Sequence, residues 1–180
     1  MAADAFKLEI VTPTGMAVSK DVVELGAPTL DGEVGVLPGH VPFLAALRTG
    51  LVAVRPTGSS AGDEPQRFAI AHGVLEVANE KALVLTEKFI KKEDVDVVRV
   101  RARLKEVDDE IVGWTGEIED PKRIELIEEE QWLAAQLELI GDPPQATLRE
   151  LTRFKTHEVE AVVQEEGGSE AESSGSGTAH

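Results

Sequence analysis

Residues 6–13, FKLEIVTP, set Phe6, Leu8 and Ile10 against Lys7 and Glu9. A period of two predicts a half-buried strand, and Pro13 ends it. After a turn at Pro13–Gly15, AVSKDVVELGAP (17–28) reads as a second run, and LVAVRP (51–56) as a third closed by Pro56. GSSAGDEP (58–65) is polar and Gly-containing, a hairpin tip. QRFAIAHGVLEVANEKALVLTEKFI (66–90) predicts two more strands returning near Asn79–Lys81. Between the second and third runs lies DGEVGVLPGHVPFLAAL (31–47), with three glycines, two prolines and a histidine, which reads as a shaped loop. Short strands separated by turn signals predict a sandwich or barrel over residues 1–92, with an edge strand or loop tip facing a partner.

The period changes after Lys91. Asp94 is a good N-cap, and Val97, Val100, Leu104, Val107 and Ile111 then recur every three or four residues, the apolar stripe of a helix. The stripe stops at Gly113–Gly116. Asp120–Pro121 is a helix start, followed by Leu126, Leu133, Leu137 and Ile140 on one face, with Gly141 as the stop. Residues 93–141 therefore predict an antiparallel helical hairpin. Asp142–Pro143 repeats the start signal. Leu148, Leu151, Val159 and Val162 share a face, so an extra helix is expected over 142–165. Residues 166–180 are Gly, Ser and Glu with little else and predict a disordered tail.

Charge narrows the partners. The 180 residues carry a net charge of −16, which disfavours nucleic acid and direct adsorption to anionic lipid. A protein with a basic face fits better. There are no cysteines, so disulfides, thiolate zinc sites and thiol nucleophiles are excluded. No apolar run approaches the roughly 20 residues of a membrane helix. The start, MAADAFKLEIV, lacks the basic, then apolar, layout of a secretory signal, and no Arg- and Ser-rich transit segment is expected.

Candidate chemistry is sparse. No phosphate loop, G-x-G-x-x-G or G-x-S-x-G occurs, and the four histidines, His40, His72, His157 and His180, have no ligand spacing. His40 has no visible catalytic partner and reads as a structural or interface residue. His72 reads as a wall residue of the sandwich, and a metal role for His157 with Glu158 or Glu160 has no motif behind it. Arg99, Arg101, Arg103 and Lys105 spread around a helix, a solvated face with pairs such as Lys105–Asp109. No metal site and no catalytic set are expected.

The order of LEIVTP, DGEVGVLPGHVPFLAAL, AIAHGVLEV and a hairpin beginning EDVDVVRVRA resembles the epsilon-subunit family of bacterial F-type ATP synthases, over residues 5 to about 141. The resemblance implies a ten-stranded β-sandwich followed by the helical hairpin. It implies a non-catalytic rotor subunit at the foot of the central stalk, on the cytoplasmic face of the plasma membrane and held there only through the complex. Its expected partners are the gamma subunit, the c-ring and, through the hairpin, the alpha/beta head. By position, Asp31, Gly32 and Glu33 face the c-ring, and Pro38, Gly39, His40 and Pro42 face gamma. Glycines allow sharp turns and prolines pre-set the path, which suits a stiff joint.

Some members of that family bind regulatory ATP on the folded hairpin through I/L-D-x-x-R-A. The matching positions here are Val95, Asp96, Arg99 and Val100; the aliphatic start and the Ala are both Val, and Ile90 stands where a supporting acid is expected. The second helix of better-known members is basic and meets an acidic segment of the beta subunit. Residues 119–141 here carry seven acidic and two basic side chains, a net −5, which opposes that docking. An extra helix over 142–165 would cover the hairpin's stripe and favour its folded state. The alternative outside this family is a free-standing β-sandwich module for protein binding or nucleotide sensing.

Overall fold

The structure, a computed structural model, describes residues 5–60 and 62–144. The expected extra helix and the expected tail lie outside these residues, apart from Asp142 to Pro144.

The strands are β1 (Phe6–Thr12), β2 (Gly15–Thr29), β3 (Gly32–Val36), β4 (Phe43–Leu47), β5 (Gly50–Pro56), β6 (Gln66–Ile70), β7 (Gly73–Ala78), β8 (Lys81–Thr86) and β9 (Phe89–Lys91). They pair in the order β1-β8-β7-β4-β2-β5-β6-β9, with β3 on β2 and a further β1–β2 pairing. All neighbours are antiparallel except β1 with β8. The β-sandwich forms because β2 serves both layers. Its first half pairs with β1 (Lys20 opposite Leu8), and its second half with β3 and β5 (Leu25 opposite Val36 and Val54). The register shifts between Val22 and Glu24, where the strand passes from one layer to the other. Nine strands are present among the described residues, and reading the two halves of β2 separately gives the ten expected.

Alternation builds the core. Phe6, Leu8 and Ile10 of β1 meet Val52 and Val54 of β5, Leu75 of β7 and Val84 of β8 in one buried cluster. Each such aliphatic side chain contributes about 1.5–3 kcal/mol on full burial. Asn79 and Glu80 both have positive φ and make the tight β7–β8 turn. At Gly73 a Cβ would lie 2.0 Å from the Leu85 carbonyl oxygen, so only glycine lets β7 approach β8 there. The buried Thr86 hydroxyl reaches the Ala71 carbonyl at 3.0 Å and tethers the β6–β7 connection.

Three expectations change. Residues 31–47 hold two strands, β3 and β4, and are not a single loop. Residues 66–90 hold β6, β7, β8 and the start of β9, four strands and not two, because the turns at Ala71–His72 and Glu87–Lys88 are too short to break the apolar pattern. His72 lies in the β6–β7 connection with its ring 3.5 Å from Glu87, and is not a wall residue.

The helices are α1 (Val97–Val112) and α2 (Pro121–Leu139). A 3-10 turn over Lys92–Asp94 uses up the expected start, so the N-cap is Asp96, whose carboxylate accepts from the Arg99 N–H at 3.1 Å. Asp120 caps α2, accepting from the Lys122 N–H at 2.8 Å, with Pro121 in the first turn. Val100, Leu104 and Val107 pack against Leu126, Leu133 and Leu137. A second face of α2, Ala135 and Leu139 with Trp132, packs on Ala69 of β6, Leu51 of β5 and Ile90 of β9. Lys88 Nζ stands 6.0 Å over the Trp132 ring. The hairpin is thus folded onto the outer face of β5 and β6. Ala69 is buried although it points away from the sandwich core.

Candidate functional site

The residues expected to meet partners occupy the two ends of β3. At one end Asp31 and Gly32 make the β2–β3 tip, where Gly32 has φ +125° and its carbonyl accepts from the Thr29 hydroxyl at 2.7 Å. A side chain at Gly32 would be strained by that conformation alone. Glu33 is held by Arg48, 2.7 Å from Nη2, and the Arg48 N–H donates to the Pro28 carbonyl at 3.0 Å. The tip is therefore stiffened from β4's far end, and Glu33 already has a cation of its own chain.

At the other end, roughly 14 Å away by strand rise, Pro38 to Pro42 form the β3–β4 connection. The His40 N–H donates to the Leu37 carbonyl at 3.1 Å, closing a turn around Gly39 (φ +78°). The His40 ring lies 5.0 Å from that of Phe43, with Nδ1 3.0 Å from the Val41 carbonyl. The imidazole has a structural place and no carboxylate beside it. β3 thus separates the two expected contact sets, and they do not form one site.

Between them the structure exposes a surface that strand periodicity alone did not single out. Leu44 of β4 is 72% exposed, Leu85 of β8 47% and Val74 of β7 38%. Ala46 stands opposite Val74, Val74 opposite Leu85 and Leu85 opposite Val11, so an apolar row crosses β4, β7, β8 and β1 on the outer face. The signal was present in the sequence: FLAAL and KALVL place apolar residues at both phases of the alternation, as a strand covered on both faces would.

Of the hairpin's expected nucleotide positions, Asp96, Arg99 and Val100 line a cleft of about 560 Å³ between α1, α2 and β9, while Val95 packs into the apolar contacts of the hairpin and the sandwich. Several groups in and around it are already engaged by the chain itself. Asp96 is committed as the N-cap, and Ile90 packs into the contact between α2 and the sandwich. Arg103 reaches across to Glu129 in a two-pronged ion pair, Nε to Oε1 and Nη2 to Oε2, both 2.7 Å, and also holds Glu106 at 3.1 Å. The hydrogen bond from Arg103 holds the Glu129 carboxyl below the usual glutamate range, against an opposing effect of burial. Glu129 raises the Arg103 guanidinium in turn. Five carboxylates, Asp94, Asp96, Glu125, Glu128 and Glu129, line the cleft against Lys88, Arg99 and Arg103. That is net −2, a poor seat for a phosphate chain.

Two further cations of α1 are tied down as well. Arg101 pairs with Asp142, Nε to Oδ2 at 3.0 Å, and the expected Lys105–Asp109 pair is present at 2.8 Å. Among the described residues no cluster of three His, Cys, Asp or Glu side chains could hold a metal ion, and no helix is long and apolar enough to cross a membrane.

Residues 5–92 match the family described as ATP synthase, Delta/Epsilon chain, beta-sandwich domain. Over 115 residues the chain is 38% identical to the ATP synthase epsilon chain of Citrifermentans bemidjiense, spanning 64% of this chain and 80% of that protein. It is 39% identical over 94 residues to that of Nitratidesulfovibrio vulgaris, spanning 52% of this chain and 66% of that one. A chain in the mitochondrial ATP synthase of Euglena gracilis has the same fold, with a TM-score of 0.63 at 18% identity over 77% of this chain and 82% of that one. With its sandwich, its folded hairpin and relatives covered over most of their length, the chain belongs to the ATP synthase epsilon chain family.

Proposed function

We propose that the chain is a non-catalytic rotor subunit of an F-type ATP synthase, joining the gamma subunit to the c-ring at the cytoplasmic face of the membrane and regulating ATP hydrolysis through its hairpin. The observation that carries this is the bare apolar row on the outer face of β4, β7 and β8. An apolar row on an otherwise highly charged protein marks a protein contact. We assign this face, together with Pro38, Gly39, His40 and Pro42, to gamma. Asp31, Gly32 and Glu33, on the stiff tip at the other end of β3, are assigned to the c-ring. Residues 5–92 act as the docking module and 93–141 as the regulatory one.

In this reading the hairpin rests in the folded state under its own ion pairs. Arg103 is held by Glu129, an acidic group of the chain itself, so Val95, Asp96 and Arg99 need no nucleotide to keep α1 and α2 together. Release of α2 from Ala69 and Ile90 would free the hairpin to extend. The net −5 of residues 119–141 directs it toward basic surfaces.

The test is co-purification of the full chain with its host's gamma subunit, with ATP titration of the isolated chain. A stable complex, lost on Val74→Glu, supports the docking assignment. A free chain that binds no gamma would sink it in favour of a free-standing binding module. A saturable ATP response abolished by Arg99→Ala would overturn the ligand-free account of the hairpin.

A further inference from the structure

Four cations converge on an open groove of about 710 Å³ on the side of the sandwich next to the end of α2. They come from three directions: Lys20 from β2, Arg67 from β6, and Lys91 and Lys92 from the end of β9 and the 3-10 turn. The ladder sets them close together. Phe68 of β6 stands opposite Lys91, and Lys20 Nζ donates to the Gln66 Oε1 at 2.6 Å while lying 5.3 Å over the Phe68 ring.

In a chain of net charge −16, cations have many carboxylates to pair with. Of the fifteen Lys and Arg among the described residues, seven, Lys7, Lys81, Arg48, Arg55, Arg101, Arg103 and Lys105, hold a carboxylate, and four of the other eight line this groove. Among the described residues, none of these four groove cations does. Lys20 feels the cost. Burial, and then the charge of Lys91, lower the pKa of its ammonium. Glu64, Glu93 and Glu138 also line the groove, yet none lies within ion-pair reach of a groove cation. Four cations against three carboxylates leave the groove net +1, with none of the four cations held in an ion pair.

We propose that this groove binds a small phosphate-bearing anion, held by Lys20, Lys91, Lys92 and Arg67. The chemistry follows from the donors. Four donor-only groups arriving from β2, β6, β9 and the 3-10 turn are best met by a compact acceptor with several oxygens and more than one charge, which a phosphate has and a single carboxylate lacks. The chain's negative field repels long polyanions, and the three carboxylates on the rim limit the ligand to one that fits between them. The groove is separate from the hairpin cleft around Asp96 and Arg99 and does not depend on the rotor reading. Its wall includes Glu138, Leu139 and Gly141 at the end of α2, so occupancy there would be felt where the hairpin meets the sandwich.

Pyrophosphate titrated into the full chain at constant ionic strength, followed by amide chemical shifts, tests this. The expected result is saturable shifts confined to residues around 17–20, 64–68, 91–93 and 138–141. Lys91→Gln with Lys20→Met should weaken binding about tenfold or more, and Lys122→Gln, on α2 outside the groove, should leave it unchanged. Should the double variant fold poorly, Lys91→Gln with Lys92→Gln alters only the strand end and the turn and carries the same expectation. Co-sedimentation with phosphatidic acid vesicles separates the sources. Lys91-dependent vesicle binding assigns the groove to a lipid headgroup, and pyrophosphate binding alone assigns it to a soluble phosphate. Shifts that never saturate, or that survive equally in both groove variants, overturn the proposal, as does binding of neither probe.

Discussion

The sandwich has two outer faces, and they are finished differently. The face of β5 and β6 is covered by the chain itself, with Ala69 against Ala135 and Leu139 of α2. The face of β4, β7 and β8 carries Leu44, Val74 and Leu85 and is bare. A buried methyl contributes about 0.8 kcal/mol and a fully buried Leu or Val about 1.5–3 kcal/mol. The covered face combines the small side chains of Ala69 and Ala135 with Leu139, Trp132, Leu51 and Ile90. The bare face has no such cover among the described residues. One core thus carries a face closed by its own chain and a face left open.

The largest effect should come from charging the bare face. Val74→Glu is expected to weaken gamma binding at least 100-fold, about 3 kcal/mol, with an unchanged melting temperature, read by co-purification and calorimetry. A variant that still binds would move the gamma contact elsewhere. Next, Ala135→Glu places a carboxylate against Ala69 at a cost on the order of 3 kcal/mol. Hydrogen exchange should then rise throughout α1 and α2 while β1 to β8 stay protected, and uniform loss would show that the two faces are not independent. Gly73→Ala drives a methyl into the Leu85 carbonyl and should lower sandwich stability by roughly 2 kcal/mol in denaturant titration, whether or not α2 is seated.

The smallest effect concerns the ion pair inside the hairpin. The Glu129 carboxyl is held below its ordinary range by Arg103, so its contribution is present above the unfolded-state value and is lost as pH falls through the lowered folded-state value. Glu129→Gln should loosen the hairpin modestly at pH 7 and flatten that acid dependence, followed by Trp132 fluorescence. The pair is partly solvated, so the change should be well below that of Ala135→Glu.

Much of this was legible in the residues. The alternation of Phe6, Leu8 and Ile10 and the stripe Val100, Leu104 and Val107 place a strand and a helix without reference to anything distant. Three features were not. Gly32 and Gly35 leave β3 with too few side chains to show a period, and Pro38 and Pro42 make its surroundings look like loop. Both Asp94 and Asp96 could cap a helix, and the choice is made by a 3-10 turn that has no strong local signature. The second face of α2 is written in Ala134 and Ala135, whose small side chains barely register in an apolar pattern, and its complement Ala69 lies far away in sequence. The hairpin cleft was half legible. Asp96 and Arg99 were visible as a pair, but that Arg103 would be taken up by Glu129, 26 positions later, follows only from the packing of α1 on α2.

β2 runs as one strand through both layers. Its first half is bonded to β1 and its second to β3 and β5. Strain applied along β2 from the Leu30–Asp31 tip would load those ladders in shear, many hydrogen bonds sharing it together, where a peripheral hairpin would unzip one bond at a time. The fifteen residues of that strand make the molecule stiff along one axis, the one that runs from the exposed tip through the middle of the core.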